Sequence, residues 1–198
     1  MNKNNPNIHH RRSIRLKGYD YSQKGLYFVT ICTQNKKCLF GKIIDNKMVL
    51  NIAGEMVNKI WLEIPKIFPN TKLHEYIIMP NHSHAIIEIV GADSISAHNV
   101  KGAEIDSANG AEIDSAPTVL VGVGGDVSLP KIIQTFKRYT TIEYIKMVNQ
   151  NILPPFEKRI WQRNYYEHII RSEKSFEKIS EYIINNPLKW ELDKYYVK

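Results

Sequence analysis

Cysteine is nearly missing from this chain: Cys32 and Cys38 are the only two in 198 residues. Two thiols are too few for a disulfide framework, so both are expected to be reduced. No apolar run approaches the roughly 18 residues needed to cross a bilayer, which excludes a spanning helix from the expectations. The opening "MNKNNPNIHHRRSIRLKGYD" has no apolar segment, so no secretory leader is expected and the compartment reads as cytoplasmic. A nucleotide-type phosphate loop is also lacking. "VGVGGD" at Val121–Asp126 has the glycines but no Lys-Ser/Thr after them. Acids are scarce relative to bases, giving a net charge of +7 and a pI near 9.3, which points to a polyanionic partner.

What is present is enough to fold. Hydrophobic residues make up 43% and aromatics 10%, well above the composition of a disordered chain. At this length one domain with a real core is expected. Residues 1–18 read as a basic arm, and residues 19–198 as a single domain interrupted at 91–128. In that interruption "GAEIDSA" occurs twice, at Gly102–Ala108 and Gly110–Ala116, in a small-residue stretch of weak structural preference. Its six acids and one lysine make it net −5, so the +7 of the whole leaves +12 on the remainder.

The periodicities give an α+β domain. "GLYFVTICTQ" (25–34) is β-branched and aromatic, and "CLFGKIID" (38–45) follows it, which reads as a hairpin. A helix then starts at an Asn51 cap, carries Ile52, Met56, Val57, Ile60, Trp61 and Ile64 at helical spacing, and ends at Pro65 and Pro69. Two strands follow, 72–79 and 82–90, joined by "PN". After the insertion comes a basic helix starting near Ser128 with Pro130 in its first turn. "IWQRNYYEHIIRS" reads as an aromatic and basic link, and a last helix spans 173–186 with Ser172 as its cap. The order implies an antiparallel β-sheet sandwiched by helices.

The chemistry concentrates in "YIIMPNHSHAIIEI". His82 and His84 are two apart on a strand, so both imidazoles face one side and can close on one ion. Imidazole is a common metal ligand, but two alone do not make a stable site. Tyr182 and Asn186, four apart on the last helix, share a face and offer a phenol and an amide oxygen. Tyr139 with Glu143 on the basic helix is the rival pair at the same spacing, and His74 or Cys32 would be the extra ligands of a zinc hydrolase. Trp161, Tyr165 and Tyr166 either stack on bases or fill core. Arg11, Arg12, Arg15 and Lys17 on the arm, and Lys137, Arg138, Arg159 and Arg163 nearer the catalytic elements, are the candidate phosphate contacts.

Four segments in order, "RRSIRLKGYDYSQKGLYFVTICT", "MPNHSHAIIEI", "WQRNYYEHIIR" and "YIINNPLKW", resemble the REP-associated tyrosine transposases, which are single-tyrosine HUH transposases of bacteria. The likeness spans nearly the whole chain outside the acidic insertion and the first residues. It implies the HUH, ferredoxin-like palm, with His82, His84 and Asn186 as ligands of Mg²⁺ or Mn²⁺ and Tyr182 as nucleophile. It also implies cleavage and rejoining of single-stranded or hairpin DNA through a 5′-phosphotyrosine, near the nucleoid, with a homodimer as one arrangement. The chain departs from the pattern at Ser83, where the family usually has an apolar residue, but that side chain should point to the other sheet face. A hairpin-DNA-binding protein that no longer cuts is the main alternative, and the zinc hydrolase a more distant one.

Overall fold

The computed structural model describes Leu16 and residues 18–91 and 127–197. The arm residues Arg11, Arg12, Arg15 and Lys17 and nearly all of the acidic insertion lie outside the described residues. The strands are β1 (Gly25–Cys32), β2 (Gly41–Ile44), β3 (Lys47–Leu50), β4 (Thr71–Ile78), β5 (His82–Ile89) and β6 (Tyr166–Ile170). The helices are α1 (Ile52–Leu62), the single turn α2 (Ile64–Ile67), α3 (Leu129–Asn149) and α4 (Glu173–Ile184).

Four strands form one sheet in the order β4-β5-β1-β6, every neighbouring pair antiparallel. Strand alternation gives this sheet two different faces. Tyr27, Val29 and Ile31 of β1 and Ala85, Ile87 and Ile89 of β5 face α1 and α3, meeting Met56, Val57 and Trp61 on the first and Ile132, Ile133 and Phe136 on the second. Phe28 of β1, Ile86 of β5 and Ile170 of β6 face the other way and meet Ile183, Phe176 and Ile179 of α4. The expected sandwich is thus present, with the larger core on the α1/α3 side. Ser83 belongs to that side as anticipated, paired with Ile31 and Ile78 and almost fully buried.

The anticipated caps hold. Asn51 Oδ1 accepts the Gly54 amide at 2.9 Å, and Ser172 Oγ accepts the Ser175 amide at 3.3 Å. Gly54 is required by close approach, because a Cβ there would collide with the Phe40 carbonyl oxygen. Pro130 occupies the first turn of α3 behind an extended Ser128.

Three expectations change. β1 does not pair with the following strand. Left-handed Asn35 and Lys36 (φ 57° and 53°) turn the chain off the sheet, and β2 pairs with β3 instead. That second hairpin turns at Asp45 and Asn46, both left-handed (φ 47° and 59°), the conformation a two-residue hairpin turn demands. The aromatic link holds a strand, β6, which pairs only with β1 and so sits at the sheet edge. Five residues with one paired side give too short a pattern to read from sequence. Finally, α4 ends at Ile184, and Asn186 joins it to a 3₁₀ segment, Pro187–Leu192. No helix among the described residues is long and apolar enough to cross a membrane.

Candidate metal and nucleophile site

His82 and His84 project from β5 toward the α4 side, opposite Cys32 and Thr30 of β1. Their Nε2 atoms lie 3.0 Å apart, and the rings are 0% and 1% exposed. Asn81 fixes the first ring. Its Nδ2 donates to the carbonyls of Lys36 (3.1 Å) and Tyr195 (2.8 Å), so its Oδ1, 2.8 Å from His82 Nδ1, must accept. His82 therefore carries its proton on Nδ1 and presents a lone pair at Nε2. Thr30 Oγ1 stands 2.9 Å from His84 Nδ1 in the equivalent place. The two Nε2 atoms face each other at 3.0 Å with the His82 lone pair directed between them, and a cation there would be bound by both rings once His84 also carries its proton on Nδ1.

A phenol and a carboxylate lie beside the imidazoles. The hydroxyl of Tyr182 on α4 lies 3.1 Å from His84 Nε2 and 3.4 Å from Asp193 Oδ2. Asn186, 2% exposed, donates Nδ2 to Asp193 Oδ2 at 3.0 Å, which leaves its Oδ1 buried without a hydrogen-bond partner. An orphaned amide oxygen costs about 1–3 kcal/mol unless something binds it. One donor atom from each of His82, His84 and Asp193 lies within 4.8 Å of the others, a cluster that could hold a metal ion. Two imidazoles, a carboxylate and a free amide oxygen fit a divalent cation.

Asp193 was not foreseen. It follows Pro187 in a stretch without periodicity, and only the 3₁₀ turn brings it back over β5. Asn81 and Thr30 were missed too, although Asn81 directly precedes the paired histidines; Thr30 meets His84 only once β1 lies against β5, and Asn81 is oriented by the distant Lys36 and Tyr195 carbonyls.

Burial sets the electrostatics. It pushes both imidazoles well below the ordinary histidine value, with Lys194 adding to the effect on each and His82 adding to that on His84. It also raises the Tyr182 phenol, and the Asp193 carboxylate raises it further, so this tyrosine is neutral at pH 7. For histidines depressed on folding, stability is full above the unfolded value of 6.5 and declines as pH falls below it. The metal-free protein is thus expected to lose up to about 1.4 kcal/mol per pH unit for each histidine below pH 6.5. Urea midpoints from pH 7.5 to 5 measure this, and a flat profile would mean that the rings are not held neutral. Asn81→Ala should weaken metal binding about 10- to 100-fold by freeing the His82 ring, measured by calorimetric titration with Mn²⁺.

The rival donors lie elsewhere. Tyr139 is on α3, against the opposite sheet face, and Glu143 is paired with Lys146 at 3.0 Å. His74 Nε2 is engaged by Glu88 at 2.7 Å. Burial pushes the Cys32 thiol up to about 11, and neither it nor His74 joins the cluster.

Lys137, Arg138, Arg159, Trp161 and Arg163 line one groove of about 460 Å³. The backbone joins this groove to the site, because the Gln162 amide donates to the Cys32 carbonyl at 2.9 Å and Cys32 lies opposite His82. Two of these residues have partners within the protein. Trp161 is core: its ring packs on Phe40 and Phe136, and Nε1–H donates to Thr140 Oγ1 at 2.8 Å, so no ring face remains for a base. Lys137 spends its ammonium on the carbonyls of Gln162 (2.9 Å), Asn164 (3.3 Å) and Arg163 (3.4 Å), tying the groove wall together. Arg138, Arg159 and Arg163 are exposed along it.

Comparison with known proteins agrees with this architecture. An uncharacterized protein of Haemophilus influenzae (strain ATCC 51907 / DSM 11121 / KW20 / Rd) is 46% identical over 195 residues, 98% of each chain. The chain belongs to that protein's family. No protein-family model matches it. Among solved structures, a REP-associated tyrosine transposase bound to a REP hairpin superimposes with a TM-score of 0.51 at 16% identity, over 92% of this chain and 77% of that one. Its fold is that of the REP-associated tyrosine transposases.

Proposed function

We propose that this protein is a metal-dependent DNA transposase that cleaves and rejoins single-stranded or hairpin DNA through a 5′-phosphotyrosine on Tyr182. The observation that carries this reading is a phenol 3.1 Å from one of two buried, paired imidazoles, beside an amide oxygen that has no other partner. His82, His84, Asn186 and Asp193 are the residues that would hold the ion. The carboxylate and amide oxygens favour Mg²⁺ or Mn²⁺ over the softer metals that imidazoles alone would accept. A bound divalent ion would engage a non-bridging phosphate oxygen and make phosphorus more electrophilic.

The chain supplies the rest. Tyr182 Oη attacks phosphorus, forming the tyrosine–phosphate bond while the bond to the 3′-oxygen breaks, and that oxygen takes a proton from water to become a free 3′-hydroxyl. Asp193 Oδ2, 3.4 Å from the phenol, is the nearest carboxylate to take its proton. Because the new linkage is again a phosphodiester, the 3′-hydroxyl can reverse the step without a nucleotide triphosphate. Arg138, Arg159 and Arg163 would hold the strand's phosphates along the groove on the α3 side. Tyr182 lies 3.1 Å from His84 of its own chain.

Wild-type protein incubated with end-labelled stem-loop DNAs and Mn²⁺, then run on a denaturing gel, tests this reading. A band that survives denaturant and disappears on nuclease digestion supports it. Tight hairpin binding without such a band would favour a non-cutting DNA-binding protein instead.

A further inference from the structure

We propose that Tyr166 is the stacking platform for the nucleotide next to the scissile phosphate; this rests on the transposase reading above. The register places it there. Tyr166 of β6 lies opposite Thr30 of β1, and Thr30 lies opposite His84 of β5, so the three side chains form one row on one sheet face. Two strand spacings separate Tyr166 from His84, about 10 Å between their backbones. α4 packs mainly across β4 and β5; of β6, Ile170 is covered by it, whereas at the strand's other end Tyr166 is 44% exposed and His168, in the adjacent row, is exposed as well.

Phe28 lies between the two exposed tyrosines. Its ring meets both Tyr166 and Tyr182 edge-on at 6.2 Å, which fixes the platform relative to the nucleophile. Lys194 Nζ stands 5.4 Å from the centre of the Tyr166 ring, a cation placed for the backbone of a strand whose base lies on that ring. The neighbouring Tyr165 is buried against the core and cannot serve. An exposed aromatic with a cation above it, in the row of the metal-site histidine, suits an unpaired base and not a duplex.

The test uses the cleavage point mapped with wild-type protein on a pool of stem-loops with randomised single-stranded flanks. A substrate of that sequence then carries 2-aminopurine at successive positions on either side of the scissile phosphate, bound to full-length Tyr182→Phe protein so that no cutting occurs. Fluorescence should be quenched at a position flanking the phosphate. Adding Tyr166→Ala should relieve the quench and weaken binding about 5- to 150-fold. Tyr166→Phe, which keeps the aromatic face, should restore both, with Mn²⁺ affinity and thermal midpoint equal in all three. Unchanged quenching and affinity in Tyr166→Ala would overturn the platform while leaving adduct formation by Tyr182 intact. A Tyr166→Phe variant as weak as the alanine would also overturn it, because the hydroxyl and not the ring would then matter. Failure of wild type to form any adduct across the pool would sink the transposase reading and the platform with it.

Discussion

Tyr182→Phe should remove the covalent protein–DNA band while leaving the fold, the metal site and hairpin affinity in place. The change deletes one oxygen from a ring that is 40% exposed and packs edge-on against Phe28, so the ring contact survives. The lost hydrogen bonds are those to His84 Nε2 and Asp193 Oδ2, both to groups that retain other partners. Stability should therefore change by no more than about 1 kcal/mol. Adduct formation should fall by roughly 10³-fold or more, as expected when a nucleophile is deleted outright. Quantifying adduct on a denaturing gel beside a binding curve for the same hairpin separates the two effects. A surviving adduct would place the nucleophile elsewhere and remove the chemical meaning of the Tyr182–His84 contact.

His84→Ala should act through the ion instead. It removes one of two imidazoles and leaves His82 Nε2 without its neighbour at 3.0 Å. Mn²⁺ affinity should drop by more than the 10- to 100-fold expected for losing an outer partner such as Asn81. Adduct formation should fall with it, although Tyr182 is untouched. The same variant should have a shallower loss of stability below pH 6.5, because one buried neutral ring is gone. Calorimetric titration and a pH series of urea midpoints measure both. Unaltered Mn²⁺ affinity would show that the paired imidazoles are not the metal site.

The two variants differ in a way that assigns the roles. Tyr182→Phe is expected to keep metal affinity and lose chemistry. His84→Ala is expected to lose both. Their double mutant should be no worse in adduct formation than the worse single, since residues that act as one unit are not additive.

The amino-acid sequence by itself determined most of the elements and singled out His82, His84, Tyr182 and Asn186, which the fold brings together. The period-2 spacing of His82 and His84 requires a shared strand face, whereas Asn186 lies just beyond the last helix, which ends at Ile184, and Asp193 Oδ2 joins it to Tyr182. Asn51 and Ser172 announce their helices through side-chain caps, which are local events written within four residues. Local rules of this kind need no knowledge of the rest of the chain.

Only the tertiary structure decided which segments meet. Residues 25–32 could pair with any strand of suitable pattern. Their partners became β5 and β6 because the left-handed turn at Asn35 and Lys36 carries the chain away and lets β2 close on β3. The fates of the aromatics were equally non-local. Trp161 is enclosed by Phe40 and Phe136 from distant parts of the chain, whereas Tyr166, five residues later, stays open on the sheet edge. Asp193 reaches the histidines only because a 3₁₀ turn folds back over β5, and more than a hundred residues separate them in the chain. Periodicity reports which face a side chain takes. It carries no information about what meets that face, and in this protein the Thr30 hydroxyl and the Asp193 carboxylate reach the histidines from distant parts of the chain.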